Sequence, residues 1–320
     1  MNFKQLQNGM CDGFVVLKRC EEKKTKNGAD YLDLIISDRD GEMPAKLWDY
    51  TPNGMFEQEM VVKIRGTVEQ YNGKEQFRVA QIRPAVSSDD YDISQLVASS
   101  EIGGEQLFAM IKKRVAAFEN KKLQAIVTKI IDDKHDLLIK YPAALRLHHA
   151  MLGGLLYHTM SIVRMAEEIC KIYPNINKDL LLSGAILHDV AKTWELEPAK
   201  TGLVKGYTAE GELIGHLVKG AMYVEETAKE LGIKDEAVTL LEHMILSHHG
   251  NPEYGAAVRP MFLEAQILST LDALDAEIYE INHALSKVEK QKFSDRQWAL
   301  DNRKLYNHAL GTPEHKVNFD

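Results

Sequence analysis

Histidine and aspartate recur inside apolar segments of the second half of the chain. The segment LLYHTMSIV contains His158, LLLSGAILHDVAK contains His188 and Asp189, and ILSTLDALDA contains Asp272. Burying imidazoles and carboxylates together is unfavourable unless they share a partner, and a divalent metal ion suits both neutral imidazole nitrogen and carboxylate oxygen. The pattern therefore predicts a site that binds a divalent metal.

Three further histidines extend this set. GELIGHLVKG contains His216, and LEHMILSHHG ends with the pair His248 and His249. A single histidine on an apolar face is more often a satisfied core residue than a ligand, but a set of this size on successive helices is hard to explain in that way. His243 lies off the helical face of His248, so we interpret it as structural.

The order of these residues constrains how a metal could be held. His188 and Asp189 are adjacent, so on a helix their side chains point about 100° apart, and a metal reached by both must lie at a helix end or between helices. His158 and Asp272 lie in apolar helices that must pack inward, which makes them candidates to complete the site. Asp275 shares the helical face of Asp272 and is the alternative ligand.

The ordered set His158, His188-Asp189 and Asp272 resembles the H…HD…D signature of the HD-domain metal-dependent phosphohydrolases. LLSGAILHDVAK is similar to the central motif of that family, and STLDALD is similar to its final motif, which favours Asp272 over Asp275. The resemblance implies a site that orients a phosphodiester, polarises its oxygens and lowers the pKa of a bound water.

The same resemblance implies a second metal. His216 and the pair His248 and His249 are similar to the ligands of family members that hold two ions, in which the carboxylate of Asp189 bridges. The implied cofactor is two divalent ions, with Mn²⁺ as the first choice and Co²⁺, Fe²⁺ or Mg²⁺ as alternatives.

Two basic residues are predicted to join Asp189 as catalytic residues. Lys192, one turn after His188, faces the same side and would neutralise substrate phosphate, with a solvated helix position as the alternative. His148 and His149 lie in HHAMLGGLLYHT, which resembles the entry to the site in nuclease-like HD proteins. We therefore expect His149 to hold substrate phosphate, and a capping or loop role is its alternative.

Short β-rich runs precede these helical segments. GFVVLKRC, YLDLIISD, EMPAKLWD, MVVKIRGTVEQY and KEQFRVAQIRP are separated by Asn27-Gly28, Asp40-Gly41, the longer TPNGMFEQE and Asn72-Gly73. Asn-Gly and Asp-Gly suit type I′ hairpins, and five strands with an insertion after the third predict an OB-type barrel. From Gly104 the apolar spacing becomes helical, as at Leu107, Ile111 and Val115.

These patterns predict a multidomain fold in which an all-β OB-type barrel is followed by an all-α HD domain. We place the barrel at residues 1–88, a linker with helices at 89–140, the HD-type domain at 141–310 and a C-terminal tail at 311–320.

Aromatic and basic residues of the barrel are candidates for binding nucleic acid. OB barrels stack bases on exposed aromatics while cations track the backbone, although many such aromatics are core residues instead. The candidate residues are Lys46, Trp48, Lys63, Arg65, Tyr71, Lys74 and Arg78. A single-stranded polynucleotide is the predicted partner.

Charge and composition narrow the class of protein. Residues 1–88 hold 13 basic and 13 acidic residues, so the net charge of −8 arises from the helical part. This balance argues against a generic basic nucleic-acid binder. The sequence has no membrane-spanning apolar run or secretion signal, and its three cysteines form no CxxC pair, so we expect a cytoplasmic protein with reduced thiols and no membrane partner.

The whole layout, an OB barrel followed by helices and an HD domain, resembles that of the YhaM-type 3′-5′ exoribonucleases. The resemblance begins at MNFKQLQNGMCDGFVVLKRC and covers nearly the whole chain. It implies trimming of single-stranded RNA, and also of single-stranded DNA, from a free 3′ end. The alternatives are an HD-type nucleotide or cyclic-dinucleotide phosphohydrolase and a single-strand-binding replication accessory protein. Apolar faces on the linking and C-terminal helices suggest a homo-oligomer as a hypothesis, which native mass spectrometry showing only monomer would exclude.

Overall fold

The computed structural model describes residues 9–39, 41–71, 73–86, 88–145, 149–199, 201–314 and 316–319, with Lys74 and Ser94 described by their backbone alone. The chain forms two units: Met1–Ser100 together with Glu197–Gly206, and Glu101–Leu196 together with Tyr207–Asp320. Of the predicted turn residues, Asp40 and Asn72 lie outside the described residues, and so does His148.

The first unit is a closed five-stranded barrel. Its strands are β1 Met10–Lys24, β2 Asp30–Asp38, β3 Gly41–Leu47, β4 Val61–Tyr71 and β5 Lys74–Pro84. They close in the order β1-β2-β3-β5-β4, with β3 parallel to β5 and the other pairs antiparallel. This order is OB-like and confirms the predicted barrel, although the pairing of β3 with β5 and β4 with β1 departs from a simple meander.

Alternating apolar residues fill the barrel interior, as the period of two in a strand requires. Val15, Leu34, Ile64 and Phe77 are among the fully buried residues of this core. At Gly66 the β4 backbone approaches β5 so closely that a Cβ atom would lie 2.1 Å from the carbonyl oxygen of Arg78. Only glycine fits there, beside the bulge that interrupts the β4–β5 register after Arg65.

The second unit is predominantly helical. Its main helices are α1 Gly104–Ala116, α2 Lys121–Asp133, α3 His135–Leu138, α4 Gly154–Ile172, α5 Lys178–Leu187, α6 Lys192–Glu195, α7 Ala209–Glu230, α8 Glu236–Ser247 and α9 Leu263–Leu285. Short strands also occur, so residues 141–310 are not all-α as predicted. β8 Lys292–Phe293 pairs with β9 Tyr306–Asn307 in this unit, whereas β6 Leu196–Pro198 and its partner β7 Val204–Tyr207 lie almost entirely in Glu197–Gly206, which is grouped with the first unit. The predicted apolar spacing of α1 is confirmed, because Leu107, Ile111 and Val115 are all buried.

Helix α5 is the centre of this unit. Every residue from Leu180 to Leu187 is buried, which is the pattern of a helix covered on all sides. It packs against α2, α4, α8 and α9. The helix that ends in the histidine-aspartate pair is therefore rigidly held.

None of the helices in the described part of the chain is both long enough and apolar enough to cross a bilayer. Cys11, Cys20 and Cys170 are free thiols.

Candidate metal centre

Helix ends position two pairs of candidate ligands. Helix α5 ends at Leu187, so His188 and Asp189 follow its last turn directly. Helix α8 ends at Ser247, and His248 and His249 follow it in the same way. As the residue spacing predicted, a helix end lets two adjacent side chains face one site.

A first group of candidate ligands surrounds one oxygen of Asp189. Its Oδ2 lies 3.4 Å from His188 Nε2 and 3.7 Å from His158 Nε2. Asp272 Oδ1 lies 3.1 Å from His158 Nε2 and 3.8 Å from His188 Nε2. All four side chains are buried or nearly so, so the structure brings together the two imidazoles and two carboxylates that the sequence predicted for one metal.

A second group surrounds the other oxygen of Asp189. Its Oδ1 lies 3.4 Å from His216 Nε2 and 3.7 Å from His248 Nε2. The ligand atoms of His216, His248 and His249 all lie within 4.8 Å of one another. Asp189 is therefore placed between two groups of imidazoles, with one carboxylate oxygen toward each.

Three buried polar atoms at this point lack a hydrogen-bond partner among the described residues. Within the described residues, Asp189 Oδ1, His216 Nε2 and His248 Nε2 are buried and make no hydrogen bond. Buried polar atoms are normally paired, because each unpaired one costs about 1–3 kcal/mol. Three such atoms converging on one point, all with lone pairs, fit a cation.

The opposite ring nitrogen explains why Nε2 is the available atom of these histidines. The Nδ1 atoms of His188, His248 and His249 lie 2.9, 2.7 and 3.1 Å from backbone carbonyl oxygens of Ala185, Ile245 and Tyr254. A carbonyl oxygen can only accept, so Nδ1 carries the proton and Nε2 presents a lone pair. A hydrogen bond of this kind commonly orients a metal-bound histidine.

A break in α7 positions His216. Gly215 has φ +77° and ψ 158°, which interrupts the helix just before His216. The freed backbone N–H of His216 and its Nδ1 both donate to Glu195 Oε1 at 3.0 Å. Glu195 was not predicted from the sequence, because a glutamate in KTWELE carries no local signal of a contact 21 residues away.

Asp275 lies behind the first group rather than within it. Its Oδ2 accepts from His158 Nδ1 at 2.7 Å and from His149 Nε2 at 2.8 Å, and its Oδ1 accepts from the hydroxyl of Ser161. Asp275 thus orients His158 while Asp272 faces the Nε2 side. This arrangement favours Asp272 as the ligand.

His149 is fully buried and bonded to Asp275, so it lies behind His158. This position favours a positioning role over the predicted contact with substrate phosphate. The start of α4 lies tightly against it: a Cβ atom at residue 154 would be 2.0 Å from the His149 carbonyl oxygen, so Gly154 is required there.

Lys192 is part of the centre and is not a solvated helix residue. Its Nζ lies 2.7 Å from Asp189 Oδ2, and its side chain is only 13% exposed. Burial would raise the pKa of Asp189, but the Lys192 ammonium and the contact with the His188 ring outweigh it and hold that pKa well below the ordinary value. Asp189 is therefore an anion at neutral pH.

His158 and His248 differ in the direction of their pKa shifts. Burial alone would lower the pKa of His158, but its hydrogen bonds to Asp272 and Asp275 outweigh burial and raise the pKa to about 10. Burial and the neighbouring His249 lower the pKa of His248 well below its ordinary value, which keeps that ring neutral. A cation in the first group would replace the proton of His158.

His243, which the sequence predicted to be structural, has a partner at the start of α9. His243 Nε2 accepts the backbone N–H of Met261 at 3.0 Å, and its ring lies 5.3 Å from that of Phe262. His243 thus fixes the start of α9.

In the barrel, three of the predicted nucleic-acid-binding residues lie on one outer face. Lys46 on β3 is paired with Arg78 on β5, and its Nζ lies 5.5 Å from the ring of Trp48. Tyr31, which the sequence did not single out for binding, packs with its ring tilted against that of Trp48 at 4.8 Å, and the same ring lies 4.9 Å from Lys46 Nζ. Trp48 is 39% exposed, so this cluster can reach a ligand.

The remaining barrel candidates lie elsewhere. Lys63 and Arg65 are on β4, where Lys63 Nζ lies 5.5 Å from the ring of Phe14. Tyr71 is 64% exposed at the end of β4. The side chain of Lys74 lies outside the described residues.

This chain is similar to known protein families and to named relatives. The family described as "HD domain" matches residues 155–277, and a family described as "Putative helicase" matches residues 95–179. A protein named 3′-5′ exoribonuclease YhaM from Oceanobacillus iheyensis is 36% identical over 301 residues, which are 92% of this chain and 93% of that protein. The chain belongs to the YhaM family of 3′-5′ exoribonucleases. The protein of that name from a Geobacillus species is 35% identical over 297 residues, 92% of this chain and 91% of its own.

The matched HD region of this YhaM-family chain includes every residue of the two ligand groups, whereas His149 lies before it. Among solved structures, the second OB-fold domain of replication protein A from Methanococcus maripaludis is 15% identical and has a TM-score of 0.22. It covers 29% of this chain and 98% of its own. The strand order of the barrel, rather than this low score, identifies the fold as OB-like.

The role of Asp275 can be tested by the isosteric substitution Asp275→Asn. The amide keeps the volume but loses the charge that orients His158, so we expect the affinity for the activating metal to fall by about 10–100-fold. Titration of activity with Mn²⁺ measures this change, and saturating metal should restore much of the activity. Asp295→Asn, at an exposed position, is the matched control. An unchanged metal requirement would show that Asp275 serves only the fold.

Proposed function

We propose that this chain is a divalent-metal-dependent 3′-5′ exoribonuclease that hydrolyses single-stranded RNA, with single-stranded DNA as a second substrate. The observation that carries the proposal is the placement of Asp189, whose two carboxylate oxygens face two separate groups of imidazole Nε2 atoms. Relatives named 3′-5′ exoribonuclease YhaM, similar over 92% of the chain, support the direction of digestion and the substrate.

The ligand set supports two ions. His158, His188 and Asp272 would hold one ion with Asp189, and His216, His248 and His249 would hold the other with the same carboxylate. Imidazole and carboxylate together suit Mn²⁺, Co²⁺ or Fe²⁺ better than Mg²⁺, which prefers oxygen ligands. When bound, such ions polarise a phosphodiester and lower the pKa of water toward neutrality.

The protein's own groups set up this chemistry. Asp275 and Glu195 hold His158 and His216 in one ring orientation, so the lone pairs are fixed before metal or substrate arrives. Lys192 holds a positive charge beside Asp189, where a phosphate oxygen would carry negative charge. We infer that Lys192 lowers the repulsion between the carboxylates and the incoming phosphodiester.

The barrel, which we assign to residues 1–88, would bind the RNA strand that the HD-type domain, residues 141–310, shortens. Its cluster of Tyr31, Lys46, Trp48 and Arg78 combines exposed ring surface with cations, as single-strand binding requires. The net negative charge of the helical part makes such a separate binding surface useful.

The cluster on the barrel can be tested by Trp48→Ala. Loss of one stacking surface is expected to weaken binding of single-stranded RNA by about 1–3 kcal/mol. Fluorescence anisotropy with a labelled oligonucleotide measures the change, and Trp298→Ala, which removes an exposed tryptophan of the other unit, is the control. Equal affinities for both variants would remove the cluster from the binding surface.

The function itself is tested with purified protein, Mn²⁺ and RNA labelled at either end. With a 5′ label, a 3′-5′ exonuclease produces a ladder that shortens progressively, whereas a 3′ label is released at once as a mononucleotide. RNA blocked at its 3′ end should resist. Turnover of nucleotides or cyclic dinucleotides with intact RNA would point to a small-molecule phosphohydrolase, and binding without turnover to an accessory protein.

A further inference from the structure

A row of alternating cations and aromatic rings begins beside the metal centre. Lys219 Nζ lies 5.4 Å from the ring of Trp194 and 4.9 Å from that of Tyr223, and Lys134 Nζ lies 4.5 Å from the same tyrosine ring. All four side chains are half-buried, and all belong to the helical unit. We call Trp194, Lys219, Tyr223 and Lys134 the lysine ladder.

The inner end of the ladder is attached to the centre. Trp194 is on α6 between Lys192, which pairs with Asp189, and Glu195, which holds His216. Lys219 follows His216 by three residues on α7, so it lies one turn farther along the helix. At 1.5 Å per residue, the step from His216 to Tyr223 along the helix is about 10 Å. The ladder therefore leads away from the site.

The two lysines are held by rings rather than by acidic side chains. Among the residues that the structure describes, neither Lys134 nor Lys219 has a carboxylate oxygen within 4.0 Å. The two acidic residues before Lys134 pair with other lysines, Asp132 with Lys112 and Asp133 with Lys129, both at 2.7 Å. An aromatic ring holds a lysine in place without neutralising it.

Other lysines of the same unit are held differently. Lys122, Lys171, Lys229 and Lys292 each lie within 3.0 Å of a carboxylate oxygen. In a domain with excess acidic residues, two ordered and unneutralised ammonium groups near the catalytic site form a local positive track. Evenly spaced phosphates on a flexible strand are the anions that such a track fits.

We propose that the lysine ladder binds the backbone phosphates of single-stranded RNA on the 5′ side of the nucleotide being removed. This inference rests on the proposed function, because it assigns the path of that substrate. Trp194, whose carbonyl oxygen accepts from the Thr208 hydroxyl at 3.2 Å, anchors the inner end, and Lys134 is the outermost contact. The ladder lies outside both ligand groups and so contributes to binding rather than to chemistry.

The test is the double substitution Lys134→Gln/Lys219→Gln in the full chain with Mn²⁺. Each lost phosphate contact should reduce the slope of log affinity against log salt by about 0.7, so we expect a change of about 1.4 and a KM for long RNA raised about tenfold at low salt. The kcat should stay unchanged. Lys229→Gln, on the same helix but paired with Glu225, is the control.

The dependence of KM on RNA length distinguishes binding by the lysine ladder from a general structural effect of the substitutions. The ratio of variant to wild-type KM should fall toward one as the RNA is shortened to the smallest oligonucleotide that the wild type cleaves. An unchanged KM and salt slope for long RNA, or an equal loss at all lengths, would overturn the proposal. Lys219→Arg keeps the charge and should retain the wild-type salt slope. Failure of the proposed function is a separate result, because the wild type would then leave RNA of every length intact.

Discussion

Asp189→Asn is expected to abolish turnover of RNA. Asp189 is the one residue of the centre whose carboxylate oxygens face both ligand groups. The neutral amide would carry no negative charge to hold a cation, and it would present N–H₂ in place of an oxygen to one of the two groups. Loss of an outer partner of a metal site already costs about 10–100-fold, so we expect a loss of more than about 100-fold in kcat even at high Mn²⁺. Single-turnover assays with labelled RNA measure it.

The bridging role predicts a pattern across three variants. His158→Ala removes a ligand of the first group alone, and His216→Ala removes one of the second group alone. Metal analysis of the purified proteins should therefore show a partial loss of bound metal in each histidine variant and the largest loss in Asp189→Asn. Equal metal content in Asp189→Asn and wild type would contradict the bridge. Circular dichroism confirms that each variant is folded.

Removal of metal by a chelator is expected to stop hydrolysis and to lower the melting temperature. A ligand present at 100 times its dissociation constant contributes about 2.7 kcal/mol to stability. For a domain of this size each kcal/mol shifts the melting temperature by about 2–4 °C, so we expect a decrease of about 5–10 °C for one ion of that affinity. Calorimetry with and without EDTA measures this decrease.

The melting temperature should fall because the cation satisfies a set of buried polar groups. Without metal, Asp189 Oδ1, His216 Nε2 and His248 Nε2 face one another with no partner among the described residues. Mn²⁺ or Co²⁺ should restore both activity and melting temperature, whereas Ca²⁺, which takes oxygen ligands, should restore neither. The Asp189→Asn variant should show little change on chelation. A wild-type protein that degrades RNA in excess EDTA would exclude the proposed centre.

The sequence by itself determined the main helices, the barrel strands and the ligand candidates, but it did not reveal the short strands β6 to β9. Apolar periodicity depends on local geometry, so the change from strands to helices before α1 was readable from the spacing of Leu107, Ile111 and Val115. The H…HD…D order was equally readable, since His158, His188-Asp189 and Asp272 each lie in an apolar segment that has to pack inward.

Only the tertiary structure showed which of those residues face each other and which position a neighbour. Each carboxylate oxygen of Asp189 faces a different group of imidazoles. Asp275 lies behind His158, and Glu195 holds His216. All of these contacts join side chains from different segments of the chain. Spacing along one helix carries no information about such contacts.

Contacts between distant segments also create the aromatic and basic cluster of the barrel and the lysine ladder. Tyr31 joins Trp48 because β2 pairs with β3, and Lys134 meets Tyr223 because the end of α2 packs beside α7. The pairing of β3 with β5 likewise sets Lys46 beside Arg78. Local sequence determines the faces of strands and helices, but packing between distant segments determines which side chains share a site.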